Sequence, residues 1–277
     1  MRPPSSGLVS SDVTRALQED MGAGDCTASL IPQTAFLQTS LVCREAAILS
    51  GQAWFEESFF QLQPDVSIEW FANDGDTLTP DQEICLINGN ARAVLSGERT
   101  AINFLQILSG TATQARRYVD AVAGTGVTIL DTRKTIPGLR LAQKYAVRCG
   151  GAHNHRVGLF DAILIKENHI SAAGSISIAV SEARRLYPDL LLEVEVENSG
   201  QLEEAHRSGA ARALLDNFSL DLLQEAVARF KGKISLEASG GIDLQSIRGI
   251  AETGVDFISV GDITKSVRAT DFSMRFV

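Results

Sequence analysis

The sequence predicts an α/β protein in two parts: a mixed region of helix and short strands first, then a parallel sheet flanked by helices. Three observations carry this. After Gly126 six short apolar runs alternate with helical stretches. Each run is nearly all apolar, as expected for strands buried on both faces. Before Gly126 that rhythm is absent, and turn signals separate short strands.

The elements follow in order. Asp12 to Asp20 reads as a helix that stops at Gly22. Leu37 to Ser50 and Ser67 to Phe71 read as strands, and Asn73-Asp74-Gly75-Asp76 as a turn. Glu83 to Asn90 returns as a strand. Helix follows from Val94 to Leu108, with a break expected at Ser109-Gly110 and a second helix from Thr111 to Val122. The six runs are Val127–Leu130, Ala162–Ile165, Leu190–Val196, Ala213–Leu215, Ile234–Leu236 and Phe257–Val260. Helices are expected over Ser175–Tyr187, Gly200–Ser208, Leu220–Phe230 and Leu244–Glu252. Gly209, Gly232 and Gly254 follow three of them, as C-caps do. The repeat suits either a βα barrel or a doubly wound open sheet.

Composition narrows the function. The 277 residues suit one large domain or two unequal ones. With 25 Lys+Arg against 34 Asp+Glu the formal charge is −9, which argues against a nucleic-acid surface. No apolar run has the length of a membrane span, and the opening Met1-Arg2-Pro3-Pro4-Ser5-Ser6 has no apolar leader core. Cys26, Cys43, Cys85 and Cys149 form no CxxC pair and read as buried free thiols. A cytoplasmic protein is expected.

The chemistry gathers after the strands. In chain order the strand ends carry Asp131-Thr132-Arg133-Lys134, Lys166-Glu167-Asn168-His169, Glu193, Glu195 and Glu197, Asp216-Asn217, Glu237-Ala238-Ser239-Gly240-Gly241, and Gly261-Asp262-Ile263-Thr264. In a βα barrel such ends converge on one mouth, and in an open sheet they line a crevice. From Asp131 to Arg156 six Lys/Arg face one acid, a local +5 that leaves −14 on the rest of the chain. A cationic cluster in an acidic protein points to a small polyanion. Glu195 and Asp216 suit Mg²⁺, sugar hydroxyls or a developing cation. Ser239-Gly240-Gly241 and Gly261, each before a helix, suit a phosphate held by backbone N–H groups.

Simpler accounts exist for single members. Arg140, Lys144 and Arg148 lie at helical spacing and suit a solvated face. Glu193, Glu195 and Glu197 alternate along one side of a strand. They imply either an exposed edge strand or buried carboxylates that need partners. His169 suits a cap on the loop after its strand.

Taken together, these segments resemble the quinolinate phosphoribosyltransferases, also called nicotinate-nucleotide pyrophosphorylases (carboxylating). The resemblance rests on Glu19 to Asp25, Gly97 to Leu105, Asp131 to Arg140, Lys144 to Gly151, His153-Asn154-His155-Arg156, Lys166 to His169, Glu193 to Glu197, Leu215-Asp216-Asn217 and Glu237 to Ile242. It implies an N-terminal open α/β sandwich over residues 1–110, rejoined by 270–277. Residues 111–269 would form an incomplete, about seven-stranded parallel α/β barrel. It implies a homodimer, or a higher oligomer built from dimers, with each mouth facing the neighbour's sandwich.

The same resemblance places Thr132, Arg133, His155, Arg156, Lys134 and Lys166 around quinolinate, with Arg99 entering from the partner subunit. Lys134 and Lys166 would also meet the phosphates of phosphoribosyl pyrophosphate. Glu195 and Asp216 would hold the ribose and Mg²⁺, and Ser239, Gly240 and Gly261 the 5′-phosphate. Lys134, Glu195 and Asp216 are the expected catalytic residues. Asp262 departs from the family pattern, which has a small residue there. A carboxylate beside the phosphate loop must point away or pair with Lys265. The implied reaction yields nicotinate mononucleotide, pyrophosphate and CO2 for NAD synthesis. Rival readings are a sister enzyme acting on nicotinate, a sensor of anionic metabolites, and a phosphate-binding aldolase with Lys166 as its Schiff-base lysine.

Overall fold

A computed structural model describes residues 5–276 of the chain. The opening residues 1–4, on which part of the expectation about the first six residues rests, lie outside the described residues, as does Val277. The chain divides into two compact units. One holds the residues up to Arg116, Thr135–Gly151 and those from Ser266; the other holds Arg117–Lys134 and Ala152–Lys265.

The first unit begins with α1 (Ser6–Met21), capped by the Ser5 hydroxyl and closed at Gly22. Then come β1 (Phe36–Cys43), β2 (Ala47–Ile48), α2 (Gln52–Phe60), β3 (Ser67–Trp70), β4 (Thr77–Leu78), β5 (Gln82–Asn90) and α3 (Ala91–Ala121). The sequence suggests one strand from Leu37 to Ser50. The structure divides it into β1 and β2, which join different sheets. Residues Gln52–Phe60 form α2, an element that the sequence analysis does not assign. Phe55 and Phe59 are buried with Val94, Ile102 and Leu105 of α3 and with Leu41 and Ile87 of the sheet.

The expected break at Ser109-Gly110 is corrected: α3 runs through it without interruption. Both residues serve tertiary contacts. Ser109 Oγ accepts from the Ser50 N–H at 3.0 Å and donates to the Ser50 carbonyl at 3.2 Å. A Cβ at Gly110 would collide with the Arg268 carbonyl, so this glycine permits close backbone approach.

After α3 the chain forms β6 (Thr128–Leu130), α4 (Arg140–Cys149), β7 (Ile163–Ile165), α5 (Glu167–Ala173), α6 (Ile176–Leu186), β8 (Leu192–Val196) and α7 (Ser199–Arg207). It continues through β9 (Arg212–Asp216), α8 (Leu220–Phe230), β10 (Ser235–Ser239), α9 (Ile247–Glu252), β11 (Phe257–Ser259), α10 (Asp262–Lys265) and β12 (Phe272–Phe276). Strand β12 pairs antiparallel with β1, at one edge of a sheet ordered β12-β1-β5-β3. α4 belongs to the first unit, whose second core joins Val13, Trp54, Leu108, Ala142 and Ala146.

Among the described residues the second unit has a six-stranded sheet ordered β6-β11-β10-β9-β8-β7, with parallel pairings throughout. Leu130 adds a parallel bridge to His153. The seventh position of the expected barrel is therefore a single bridged residue. Val194, Ala213, Leu215, Leu236 and Ile258 are fully buried, as apolar strands covered on both faces should be. β8 lies between β7 and β9, which rules out the edge-strand account of its glutamates. Of the cysteines, Cys43, Cys85 and Cys149 are buried free thiols, while Cys26 is exposed, against expectation. No helix among the described residues is long and apolar enough to cross a membrane.

Candidate active site

Parallel strands that enter a sheet in one direction end on one side, so their C-terminal residues share a rim. Here that rim encloses a cavity of about 520 Å³, a size suited to a small ligand. It is lined by Thr132, Arg133 and Lys134 after β6, Lys166 after β7, and Glu195 of β8. Asp216 of β9, Ser239 and Gly240 at the end of β10, and the loop residues His155 and Arg156 complete the expected set. All of these belong to the second unit.

Two expected residues lie elsewhere. Gly261 is not among the lining residues but sits behind Lys134, where an added Cβ would lie 3.1 Å from the lysine Cδ. Arg99 is exposed on α3 and lines a different cavity, within the first unit, with Asp20, Asp25, Cys26 and Ser96. Arg140, Lys144 and Arg148 ride on α4, outside the lining. Lys144 is buried, so that face is not simply solvated.

The loops are fixed by side chains that the sequence does not advertise. Asp131 is fully buried. It accepts the His155 N–H and the Asn154 side-chain amide, each at 2.8 Å. The Thr132 hydroxyl accepts the Lys134 N–H at 3.1 Å, and the Lys134 carbonyl accepts the Thr264 hydroxyl at 2.8 Å. Asn217 takes φ 55°, and its N–H donates to the Ser239 carbonyl at 2.9 Å. A Cβ at Gly240 would collide with the Asn217 side chain, so glycine is required where these two loops meet. His169 Nδ1 accepts the Lys166 N–H at 3.0 Å, capping α5 as its position after the strand suggests.

Asp262 turns to the Tyr118 hydroxyl, which donates to it at 3.1 Å, and it is not part of the cavity wall. That carboxylate is thereby directed to a buried tyrosine.

The wall carries cations and acids in a definite arrangement. Arg133, Lys134, Arg156 and Lys166 supply positive charge. Burial, then the like charge of Arg133, lowers the pKa of Arg156. Lys166 pairs with Glu195, and Asp216 accepts from the Asn217 amide at 2.9 Å. Each of these carboxylates thus keeps a second oxygen for a hard cation or a sugar hydroxyl.

The floor holds residues that sequence reasoning missed as site members. Glu193 and Glu237 are 1% and 0% exposed, yet carry acids into the barrel interior. Glu237 Oε2 stands 3.1 Å from Arg212 Nη1, and His155 Nε2 is 2.9 Å from Glu193 Oε2. Burial, then the neighbouring Glu193 charge, pushes the Glu237 carboxyl up to about 7; burial also raises Glu193. Ligand atoms of His155, Glu193 and Glu237 lie within 4.8 Å of one another, a spacing a metal could span. Arg212 already supplies a cation there, so a shared proton suffices for balance. The available signal was the pair of acids inside otherwise apolar strands, at Glu193 and Glu237, opposite an arginine on the strand between.

The chain as a whole resembles known proteins. A profile described as "Quinolinate phosphoribosyl transferase, C-terminal domain" matches residues 111–275, and the corresponding N-terminal profile matches residues 25–109. The chain belongs to the quinolinate phosphoribosyltransferase family. A curated quinolinate-family relative, "Probable nicotinate-nucleotide pyrophosphorylase (carboxylating)" of Bacillus subtilis, is 42% identical over 92% of this chain and 89% of its own length. The solved nicotinate-nucleotide pyrophosphorylase of Francisella tularensis superposes with a TM-score of 0.95 at 45% identity, covering 99% of this chain and 98% of its own. NadC from Streptococcus pyogenes gives 0.96 at 36% identity, with both chains covered fully.

Proposed function

We propose that this chain transfers a phosphoribosyl group from phosphoribosyl pyrophosphate to quinolinate and releases nicotinate mononucleotide, pyrophosphate and CO2. It is thus a pentosyltransferase for NAD synthesis. The observation that carries this reading is a single cavity with Arg133, Lys134, Arg156 and Lys166 on its wall beside Glu195 and Asp216. The cations suit a dicarboxylate and phosphates, and the acids suit ribose.

The residues would act mainly by position and charge. Arg133 and Arg156 hold the two carboxylates of quinolinate and aim its weakly nucleophilic nitrogen at the ribose C1. As the bond to pyrophosphate loosens, positive charge grows on the sugar, and Glu195 and Asp216 stabilise it. Lys134 neutralises charge on the departing pyrophosphate. Ser239 and Gly240 would receive the 5′-phosphate, Gly261 would leave room for the Lys134 side chain beside it, and Thr132 would hold the Lys134 loop in place. Once the ring nitrogen is quaternised, its positive charge stabilises the electron pair left at C2 when the adjacent carboxylate departs as CO2, and a proton from solvent then bonds to C2.

The hard oxygen donors of Glu195 and Asp216 fit Mg²⁺ as a cofactor, which would supply further charge neutralisation when bound with the phosphates. Arg99 is exposed and outside the cavity lining, which supports a site completed by the partner subunit of a homodimer. The free cysteines favour a reducing, cytoplasmic setting.

The test is substrate discrimination. With Mg²⁺ and phosphoribosyl pyrophosphate, kcat/KM for quinolinate should exceed that for nicotinate at least about a hundredfold, about 2.7 kcal/mol. Comparable values would favour the sister enzyme acting on nicotinate.

A further inference from the structure

A carboxylate stands one residue from the point where the chain comes closest to a cation of the cavity wall. Asp262 opens α10, directly after Gly261. A Cβ placed on Gly261 would lie 3.1 Å from Lys134 Cδ and 3.9 Å from Lys134 Nζ. The same turn meets Lys134 a second time, because the Thr264 hydroxyl donates to the Lys134 carbonyl at 2.8 Å. Lys134 lines the cavity, whereas Asp262 is not part of its wall. All of these residues lie in the second unit.

The Asp262 carboxylate turns instead toward α3, where the Tyr118 hydroxyl donates to Oδ2 at 3.1 Å. Tyr118 is 1% exposed, so packing fixes its ring and the hydroxyl is a donor at a fixed place. Tyr118 belongs to the second unit as well. A carboxylate that can turn is drawn to a nearby ammonium. Two are at hand: Lys134 beside Gly261, and Lys265 in the last turn of α10. A pairing with Lys134 would compete with any anionic ligand of the cavity for the same charge.

We propose that Tyr118 is a positioning residue: its hydroxyl withholds the Asp262 carboxylate from Lys134 and so keeps that ammonium available to the phosphates of the donor substrate. The hydroxyl acts only through Asp262 and touches no substrate. This rests on reading the cavity as the site for phosphoribosyl pyrophosphate.

Two measurements on the full-length protein test it. The first is a crystal structure of Tyr118→Phe, a variant that loses one oxygen and keeps the buried ring. The Asp262 carboxylate should then lie within about 4 Å of Lys134 Nζ. A carboxylate found elsewhere, whether on Lys265 or in its original place, overturns the proposal. This arm needs no substrate, so it stands even if the cavity proves to bind something else.

The second is kinetic, with phosphoribosyl pyrophosphate varied at saturating quinolinate and Mg²⁺. Tyr118→Phe should lower kcat/KM about tenfold, the loss expected when one hydrogen bond to a charged group is taken from the ligand. Asp262→Asn removes the charge and should stay within about threefold of wild type. The double variant Tyr118→Phe with Asp262→Asn should match Asp262→Asn within the same margin, because no charge is left to withhold. A double variant as impaired as Tyr118→Phe would mean that the hydroxyl acts through packing, and the proposal fails. Wild-type kinetics in Tyr118→Phe would overturn it too. If the wild-type protein converts neither quinolinate nor nicotinate, the reading of the site fails and the crystal structure alone decides.

Discussion

Arg212 Nη1 stands 3.1 Å from Glu237 Oε2 on the neighbouring strand, and its guanidinium carbon lies 3.9 Å over the Phe257 ring. The residue thus links a buried acid to an aromatic of the next strand along, β9 to β10 to β11. A buried pair of this kind adds little net stability when intact, but removing one partner strands the other charge.

Arg212→Met should therefore cost about 3–5 kcal/mol in urea unfolding. An exposed arginine gives the comparison. Arg207 pairs with Glu203 across one helical turn at 75% side-chain exposure. Arg207→Ala should cost at most about 1 kcal/mol. Equal, small losses would mean that Glu237 finds another partner.

Glu237 also sets a pH dependence. Its carboxyl is raised from the ordinary 4.5 to about 7, chiefly by burial. Between those values the folded state binds more protons than the unfolded state, so stability falls as pH rises. The favourable contribution is complete below 4.5 and is lost through about 7. Glu237→Gln does not titrate. The stability of the Gln variant relative to wild type should climb across that window and level off above it. A flat difference would show that Glu237 ionises like a surface acid.

Glu195 and Asp216 are proposed to act in the transition state. Glu195→Gln and Asp216→Asn should each lower kcat far more than they weaken quinolinate binding measured by calorimetry. Wild-type turnover in both variants would make these acids structural.

Much of this was legible in the sequence, for physical reasons that differ between elements. The barrel strands declared themselves because strands covered on both faces must be apolar throughout. Their polar C-terminal residues then named most of the cavity wall, from Thr132 to Gly240. Ser109 and Gly110 misled, because a helix breaker by propensity is tolerated where tertiary contacts use it. The roles of Asp131, Arg212 and Glu237 were hidden because they depend on pairing between distant segments. No local pattern states that residue 212 will lie beside residue 237. Arg99 was named only through the resemblance, since nothing in its helix marks it as a site residue.

Arg99 gives a test of assembly. Arg99→Ala and Lys134→Ala should each be nearly inactive alone. Mixed under conditions of demonstrated subunit exchange, they should recover activity, because about one mouth in four is intact under random pairing in a two-fold dimer. No recovery would mean that Arg99 does not act across an interface.

The most direct test of the central claim is the product balance with quinolinate labelled in the carboxyl carbon next to the ring nitrogen at C2. With phosphoribosyl pyrophosphate and Mg²⁺, the purified protein should release labelled CO2, pyrophosphate and nicotinate mononucleotide in equal amounts. Label retained in a nucleotide product, or no consumption of quinolinate while nicotinate is converted, would contradict the account.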